Sequence, residues 1–364
     1  MTKLLLPPFL NIKLPQLKQN KLTYPLGNGW HPELGAWKEV ADGVYWLRMP
    51  LPFNLDHINL WLLKDNDGWV IVDTGIKSEH SKDIWRKVEK QLFKNAPVHR
   101  IVVTHMHPDH IGMAGWLCRR YQCDLWISQI ELLTCFRLVS DTDKKAPKAA
   151  LDFYRECGHG TEFINAYKKR FGSYGLGVSS LPDNYQRIQD GQELIINDRS
   201  WVAFSTAGHS PEHMSLYCSE LKLIIAGDQL IPRISSNVSV HALEPQADPL
   251  DQWLESNEKI LLNLPNDLLV LPAHQEPFAD VHERAHQLIS SHERSLDRLF
   301  KHLKKPARVV DCFSVLFKKP INPKGAGAFL ATGEARAHLN WLKLRGKITE
   351  TKDSAGVLWY QQAV

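Results

Sequence analysis

The chain has 364 residues, 43% of them apolar and 23% charged, with a formal net charge of +4. That length and apolarity can bury a sizeable core in more than one domain, and no apolar stretch approaches the length of a membrane span, which excludes a helical integral membrane protein. The charge is uneven: from residue 300 onward twelve Lys/Arg stand against four Asp/Glu, so a segment at +8 follows a body at −4. Six cysteines (118, 123, 135, 157, 218 and 312) show no CxxC spacing and read as reduced, buried thiols of a cytoplasmic protein. Met1 to Leu6 hints at a signal peptide, but Pro7 and Pro8 cut the run short and no small-residue cleavage site follows.

In chain order, residues 1–39 carry Pro7, Pro8, Pro15, Pro25 and Pro32 with little periodicity and read as an extended arm, docked through Trp30 and Trp37. Strand patterns follow at Gly43–Arg48, Ile58–Leu63 and Trp69–Asp73, the last two joined by the hairpin signal Asp65-Asn66-Asp67-Gly68. Ile84, Val88 and Leu92 fall at helical spacing and predict an amphipathic helix over 81–93. The β-branched run Ile101-Val102-Val103 predicts a buried strand that ends in Thr104-His105-Met106-His107-Pro108-Asp109-His110.

That heptapeptide organises the chain. In an extended segment His105 and His107 share one face, their Cα atoms about 6–7 Å apart, so both rings can converge on one cation. Pro108 breaks the extended path and turns Asp109 and His110 towards a second point. Neutral imidazole and carboxylate are the ligands that borderline divalent metals prefer. A helix over 111–121 and a short strand over 124–128 come next. Residues 129–190 form an insertion, helical and rich in aromatic and basic residues (Phe136, Phe153, Tyr154, Phe163, Tyr167, Lys144, Lys145, Lys168). Because it falls between two ligand-bearing strands, it is expected to project over the metal face as a cap.

Further ligand-type residues again stand just past apolar runs. Asp73 follows Trp69-Val70-Ile71-Val72, His209 follows 201–204, Asp228 follows 223–226 and His274 follows 268–271. Strands are expected at 192–196, 200–206, 213–218, 222–227 and 268–272, with a helix near 249–262. A long helix over 280–303 leads out to helices at 307–317 and 332–345, a loop holding Pro320, Pro323, Gly325 and Gly327 between them, and strands at 347–351 and 357–361 around Asp353-Ser354-Ala355-Gly356.

Five strand ends bearing such residues in this order resemble the metallo-β-lactamase fold superfamily over residues 40 to about 285. The resemblance implies an α/β chain: a four-layer αβ/βα sandwich at 40–285 with a helical cap insertion. The end of the chain, and above all Arg336 to Ile348, resembles the C-terminal winged-helix domain of the β-lactamase-like protein branch, placed at 286–364. The same resemblance implies that His105, His107 and His209 hold one divalent ion, that Asp109, His110 and His274 hold a second, and that Asp228 bridges them. Asp73 would then orient a ligand histidine. His57 and His213 are expected to be structural. Two such ions, roughly 3.5–4 Å apart, would share a water and present a bridging hydroxide at neutral pH, with Asp109 as the catalytic proton acceptor. The nitrogen and oxygen donor set suits zinc first and also iron or manganese.

The carboxylate at 228 and the pattern Ala207-Gly208-His209-Ser210-Pro211-Glu212-His213 resemble glyoxalase II-like hydrolases and imply hydrolysis of a thioester or related small ester, of acyl-CoA or glutathione type. The winged-helix resemblance and the basic tail imply the alternative of a single-strand-specific endoribonuclease, since phosphate neutralisation supplies most non-specific nucleic-acid affinity. Lactone hydrolysis is a further alternative within the fold. Winged helices also serve as packing or dimerisation modules, which adds a homodimer to the expected partners.

Overall fold

A computed structural model describes residues 22–53, 55–322 and 326–363. Two sheets form the body. In the first, β1 (Trp37–Ala41), β2 (Val44–Pro50), β3 (His57–Asp65) and β4 (Gly68–Val72) are antiparallel neighbours. Strands β5 (Val98–Val102), β6 (Asp124–Ile127) and β7 (Gln186–Arg187) extend that sheet in parallel. In the second, β8 (Glu193–Ile196), β9 (Arg199–Thr206), β10 (His213–Cys218) and β11 (Leu223–Gly227) are antiparallel, and β12 (Leu269–Pro272) adds to β11 in parallel.

Alternation along the strands builds the layers, because successive side chains leave a strand on opposite faces. On β3, Ile58, Leu60 and Leu62 join Trp85 of α1 (Glu79–Val88), and the same layer holds Ile111 of α2 (Pro108–Ile111) and Leu117 of α3 (Ala114–Tyr121). Trp61 and Leu63 point the other way, into a core shared with Trp201 and Leu216 of the second sheet. Burial on both faces explains why β3 and β4 read as near-continuous apolar runs. The outer face of the second sheet, with Ile224 and Val270, makes a third apolar layer, so four layers stack as helices, sheet, sheet, helices.

The insertion contributes α4 (Gln129–Val139), α5 (Lys148–Glu156) and α6 (Thr161–Arg170). After the second sheet come α7 (Pro249–Asn263), α8 (Val281–His302), the short α9 (Phe313–Leu316) and α10 (Ala326–Leu344). The hairpin β13 (Ile348–Lys352) and β14 (Leu358–Gln362) closes the described chain. None of the described helices is long and apolar enough to cross a membrane.

Several boundaries differ from the sequence reading, each for a local reason. The helix expected at 81–93 starts at Glu79, because Ser78 accepts the Ser81 N–H, and it ends in a π-helical turn at Glu89–Phe93. The helix expected at 111–121 is split. The Met113 N–H is drawn to the Gly75 carbonyl (3.0 Å) and the Thr74 hydroxyl (3.1 Å), outside any helical ladder. The helix expected at 307–317 is a 3₁₀ turn, Val309–Cys312, followed by α9. Helix α10 starts at Ala326, not 332. Its first turns carry Gly327 among strong helix formers (Ala326, Ala328, Leu330, Ala331), and Ala328 and Phe329 pack on the insertion. Pro323 and Gly325 of the expected loop lie outside the described residues, as does the arm up to residue 21. The rest of the arm does not stay separate to residue 39, since Trp37–Ala41 pairs with β2 as the edge strand β1. Trp30 meets Trp46 edge-on at 5.9 Å.

The boundary placed at 285/286 falls inside the uninterrupted helix α8. Leu339, Leu342, Ile348 and Tyr360 share one apolar cluster with Leu250, Trp253, Ile260 and Val270 of the body. Removing the buried Leu342 side chain should therefore weaken the whole chain. Leu342→Ala is expected to lower unfolding stability by about 2–5 kcal/mol in one cooperative denaturant transition. An early, separate melting of the C-terminal unit would contradict the shared core.

Candidate metal centre

The ligand-type residues gather at one edge of the sandwich, where the strands of both sheets end. His105 and His107 follow β5, and Pro108 opens α2 so that Asp109 and His110 lie in its single turn. His209 stands in the β9–β10 turn, Asp228 just after β11 and His274 just after β12. A Cβ on Gly227, whose φ is +50°, would lie 2.3 Å from His213 Nε2, so glycine is needed to lead the chain into Asp228.

The donors form two groups. Ligand atoms of His105, His107, His209 and Asp228 lie within 4.8 Å of one another, and so do those of Asp109, His110 and His274. Asp228 faces both groups. Its Oδ2 is 3.2 Å from His209 Nε2 and 4.0 Å from His105 Nε2, while its Oδ1 is 3.4 Å from His274 Nε2 and 3.6 Å from His110 Nε2. Asp109 Oδ2 stands 3.5 Å from His274 Nε2 and 3.8 Å from His110 Nε2.

Three of the rings are aimed by their far nitrogen. His110 Nδ1 contacts Asp73 Oδ2 at 2.8 Å, His209 Nδ1 donates to the Asn237 carbonyl at 2.8 Å, and His274 Nδ1 donates to the His57 carbonyl at 2.8 Å. Asp73, with φ +60°, is itself fixed by the Thr104 N–H (2.8 Å) and hydroxyl. His213 lies outside both donor groups. Its Nε2 accepts the Asp228 N–H at 3.2 Å, which fixes the backbone of that carboxylate. His57 is likewise a scaffold, accepting the Gln275 N–H at 3.0 Å and lying 2.6 Å from Asp56.

Two residues of the insertion that the sequence reading passed over hold the ligand loops. Glu131, fully buried in the first turn of α4, accepts the Met106 N–H (2.9 Å) with one oxygen and the Glu212 N–H (2.7 Å) with the other. Tyr174 donates to the Met106 carbonyl. Both backbone groups between His105 and His107 are thus taken by the insertion. The sequence signal was Ser128-x-x-Glu131, which looks like an ordinary helix capping box. Here neither side chain caps the helix, and the Ser128 hydroxyl donates to the Glu212 carbonyl instead. The insertion's aromatic residues do not stand free above the donors. Phe163 packs on Phe329 of α10 at 4.5 Å, and His159 lies 2.8 Å from the Thr332 hydroxyl.

The electrostatics suit a cation. Burial, then the neighbouring His209, pushes His107 down to about 3, and burial with His110 and His107 drives His105 well below the usual imidazole range. Both rings are thereby neutral, the form that offers a lone pair. In the second group burial opposes charge on His110 and His274, but the surrounding carboxylates outweigh it and raise both. Those carboxylates call for positive charge at that point. His110 Nε2, His209 Nε2 and Asp228 Oδ1 are buried with no hydrogen-bond partner among the described residues. Each unpaired buried group costs about 1–3 kcal/mol. Divalent ions held between the two donor groups would satisfy all three, so the donor set fits them.

A two-sheet sandwich with paired His/Asp donor groups at its strand ends defines a metal-dependent hydrolase. The chain belongs to the metallo-beta-lactamase superfamily, which residues 54–274 match, while residues 296–363 match the metallo-beta-lactamase-like C-terminal domain. A crystal structure of a beta-lactamase domain protein from Burkholderia ambifaria is 37% identical, with a TM-score of 0.86 over 94% of this chain and 98% of that one. A probable metallo-hydrolase of Bacillus subtilis is 24% identical over 54% of this chain and 67% of its own length. The acyl-coenzyme A thioesterase MBLAC2 of Bos taurus is 22% identical over 53% of this chain and 65% of its own.

Glu131→Gln should show what the clamp does. The amide can accept only one of the two N–H groups, and the other is left unpaired in the interior. Metal affinity, measured by titration against a chromogenic chelator, is expected to fall roughly 10–100-fold with the fold retained. Unchanged affinity would mean that the ligand loops hold themselves.

Proposed function

We propose that the protein hydrolyses a thioester or related small ester with two divalent ions. His105, His107 and His209 hold one ion, Asp109, His110 and His274 the other, and Asp228 lies between them. The observation that carries this reading is Asp228 itself, with one oxygen directed at each histidine group. Zinc suits the donors first, and iron or manganese also fits. Such ions, when bound, supply an acidified water and a Lewis acid for the substrate oxygen.

The chain's own residues do the rest. Asp109, whose side chain is 20% exposed against 10% for Asp228, is the more accessible of the two carboxylates. Burial would raise its pKa, but His110 and His274 prevail and hold it at about 2, so it is ionised, the form that can ligate an ion and accept a hydrogen bond from a water beside it. By holding Nδ1 of each ring, Asp73 and the carbonyls of Asn237 and His57 keep Nε2 of His110, His209 and His274 turned inward. Glu131 and Tyr174 keep His105 and His107 at their spacing.

For the substrate, similarity to a bovine acyl-coenzyme A thioesterase favours a thioester. Lys144, Lys145, Lys168 and Lys169 of the insertion are exposed, and they suit a carrier with phosphate or carboxylate groups. Similarity within residues 207–213 to glyoxalase II-like enzymes points the same way. The basic C-terminal unit, read as a winged helix, is less free than its +8 implies, because Arg345 pairs with Asp248 and Asp251 and Lys352 with Glu156, all acids outside that unit. That pairing favours a packing role over nucleic-acid binding. Cytoplasmic placement is part of the same proposal, and the six free cysteines suit it.

Purified protein offered a panel of acyl thioesters, lactones and a labelled single-stranded RNA is expected to turn over thioesters, with Asp109→Ala lowering kcat at least about a hundredfold. Turnover of RNA alone, abolished by the same substitution, would reverse the assignment. Stripping with a chelator is expected to abolish activity and lower Tm. Both should return after two equivalents of a divalent ion per chain, because a ligand that binds only the folded state stabilises it.

A further inference from the structure

We infer that the C-terminal helix α10 is a positioning element of the metal centre, acting on His209 through Glu334 and Asn237. The inference rests on the ligand assignment just proposed and adds the C-terminal unit to it. His209 Nδ1 donates to the Asn237 backbone carbonyl at 2.8 Å, and the Asn237 side-chain amide donates to Glu334 Oε2 on α10 at 2.8 Å. The Asn237 side-chain oxygen accepts from Ser239, so both ends of this amide are fixed.

The surroundings show why the helix must do this. Residues 228–248, between β11 and α7, carry no helix or strand of their own and cannot hold the Asn237 carbonyl by a backbone ladder. Helix α10 fixes the second half of that segment along its length. The Val240 N–H donates to the Gly333 carbonyl at 3.0 Å, and a Cβ on Gly333 would come within 2.5 Å of the Ser239 hydroxyl, so the two backbones are in close contact. Asn340 donates to the carbonyls of Pro245 (3.1 Å) and Ala247 (2.8 Å). Lys343 bonds Gln246, and Arg345 bonds Asp248, the residue that caps α7. Arg284 of α8 secures the first half through the carbonyls of Ile231 and Ile234. The partner that sets the ring of His209 is therefore held from outside the body of the sandwich.

The test uses the full chain and zinc, titrated against a competing chelator, with thermal melting of the metal-free protein beside it. Glu334→Ala and Asn237→Ala each break the link while leaving the Asn237 carbonyl in place. Each is expected to weaken one of the two metal equivalents roughly 10–100-fold and leave the other close to wild type. Glu334→Gln, which can still accept from Asn237, is expected to restore the affinity. The double variant should be no worse than the poorer single one, because both act on one chain of contacts. Equal weakening of both equivalents, or of neither, would overturn the inference, as would a Glu334→Gln as damaging as Glu334→Ala. Wild-type protein that fails to take up two equivalents would overturn the two-ion reading, and this inference with it.

Discussion

The rest of the structure depends on holding one buried carboxylate between two sets of imidazoles. Asp228 presents a different oxygen to each set, at 3.2–4.0 Å. A carboxylate in the interior is costly unless positive charge and donors surround it. The fold meets this by ending strands from both sheets at one edge and turning each onto the same point. The carboxylate's own backbone is fixed as well. His213 takes its N–H, and the Ser236 hydroxyl donates to its carbonyl.

Around that centre, the ligand loops owe their shape to parts of the chain that carry no ligand. The insertion takes both polar groups of Met106, and the C-terminal helix secures the segment after Asp228. These additions are packed into the body. Phe153 of α5 and Leu342 of α10 belong to the same apolar cluster as Trp253 of α7. The insertion and the tail also pack on each other through Phe163, Ile164 and Ala328.

The body of the fold and the candidate ligands were legible because their signals are local. An apolar run followed by His, Asp or Gly marks a buried strand end whatever lies elsewhere in the chain. The hairpin at Asp65–Gly68 has the two-residue loop its turn residues announced, with Asn66 in the left-handed region. What stayed hidden is what depends on contacts distant in sequence. Glu131 looks like a helix cap and becomes a clamp on residues 25 and 81 positions away. Asn237 has no local pattern at all, and its role follows from Glu334, 97 residues later. The start of α10 was missed because Gly327 reads as part of a loop, although strong helix formers surround it and Ala328 and Phe329 pack on the insertion. The Met113 N–H, pulled from its helix by strand-end acceptors, shows the same limit at short range.

One consequence concerns how the molecule can move. Helix α8 runs 22 residues without a break from the body into the C-terminal unit, a rod of about 33 Å at the usual rise per residue. A rod buried along one side leaves no hinge at that junction. The two units cannot swing apart as rigid bodies on the microsecond-to-millisecond scale of domain closure. Motion between them is left to gentle bending of the rod itself, and the freer movements of the molecule fall to side-chain rotamers and surface loops on picosecond-to-microsecond scales.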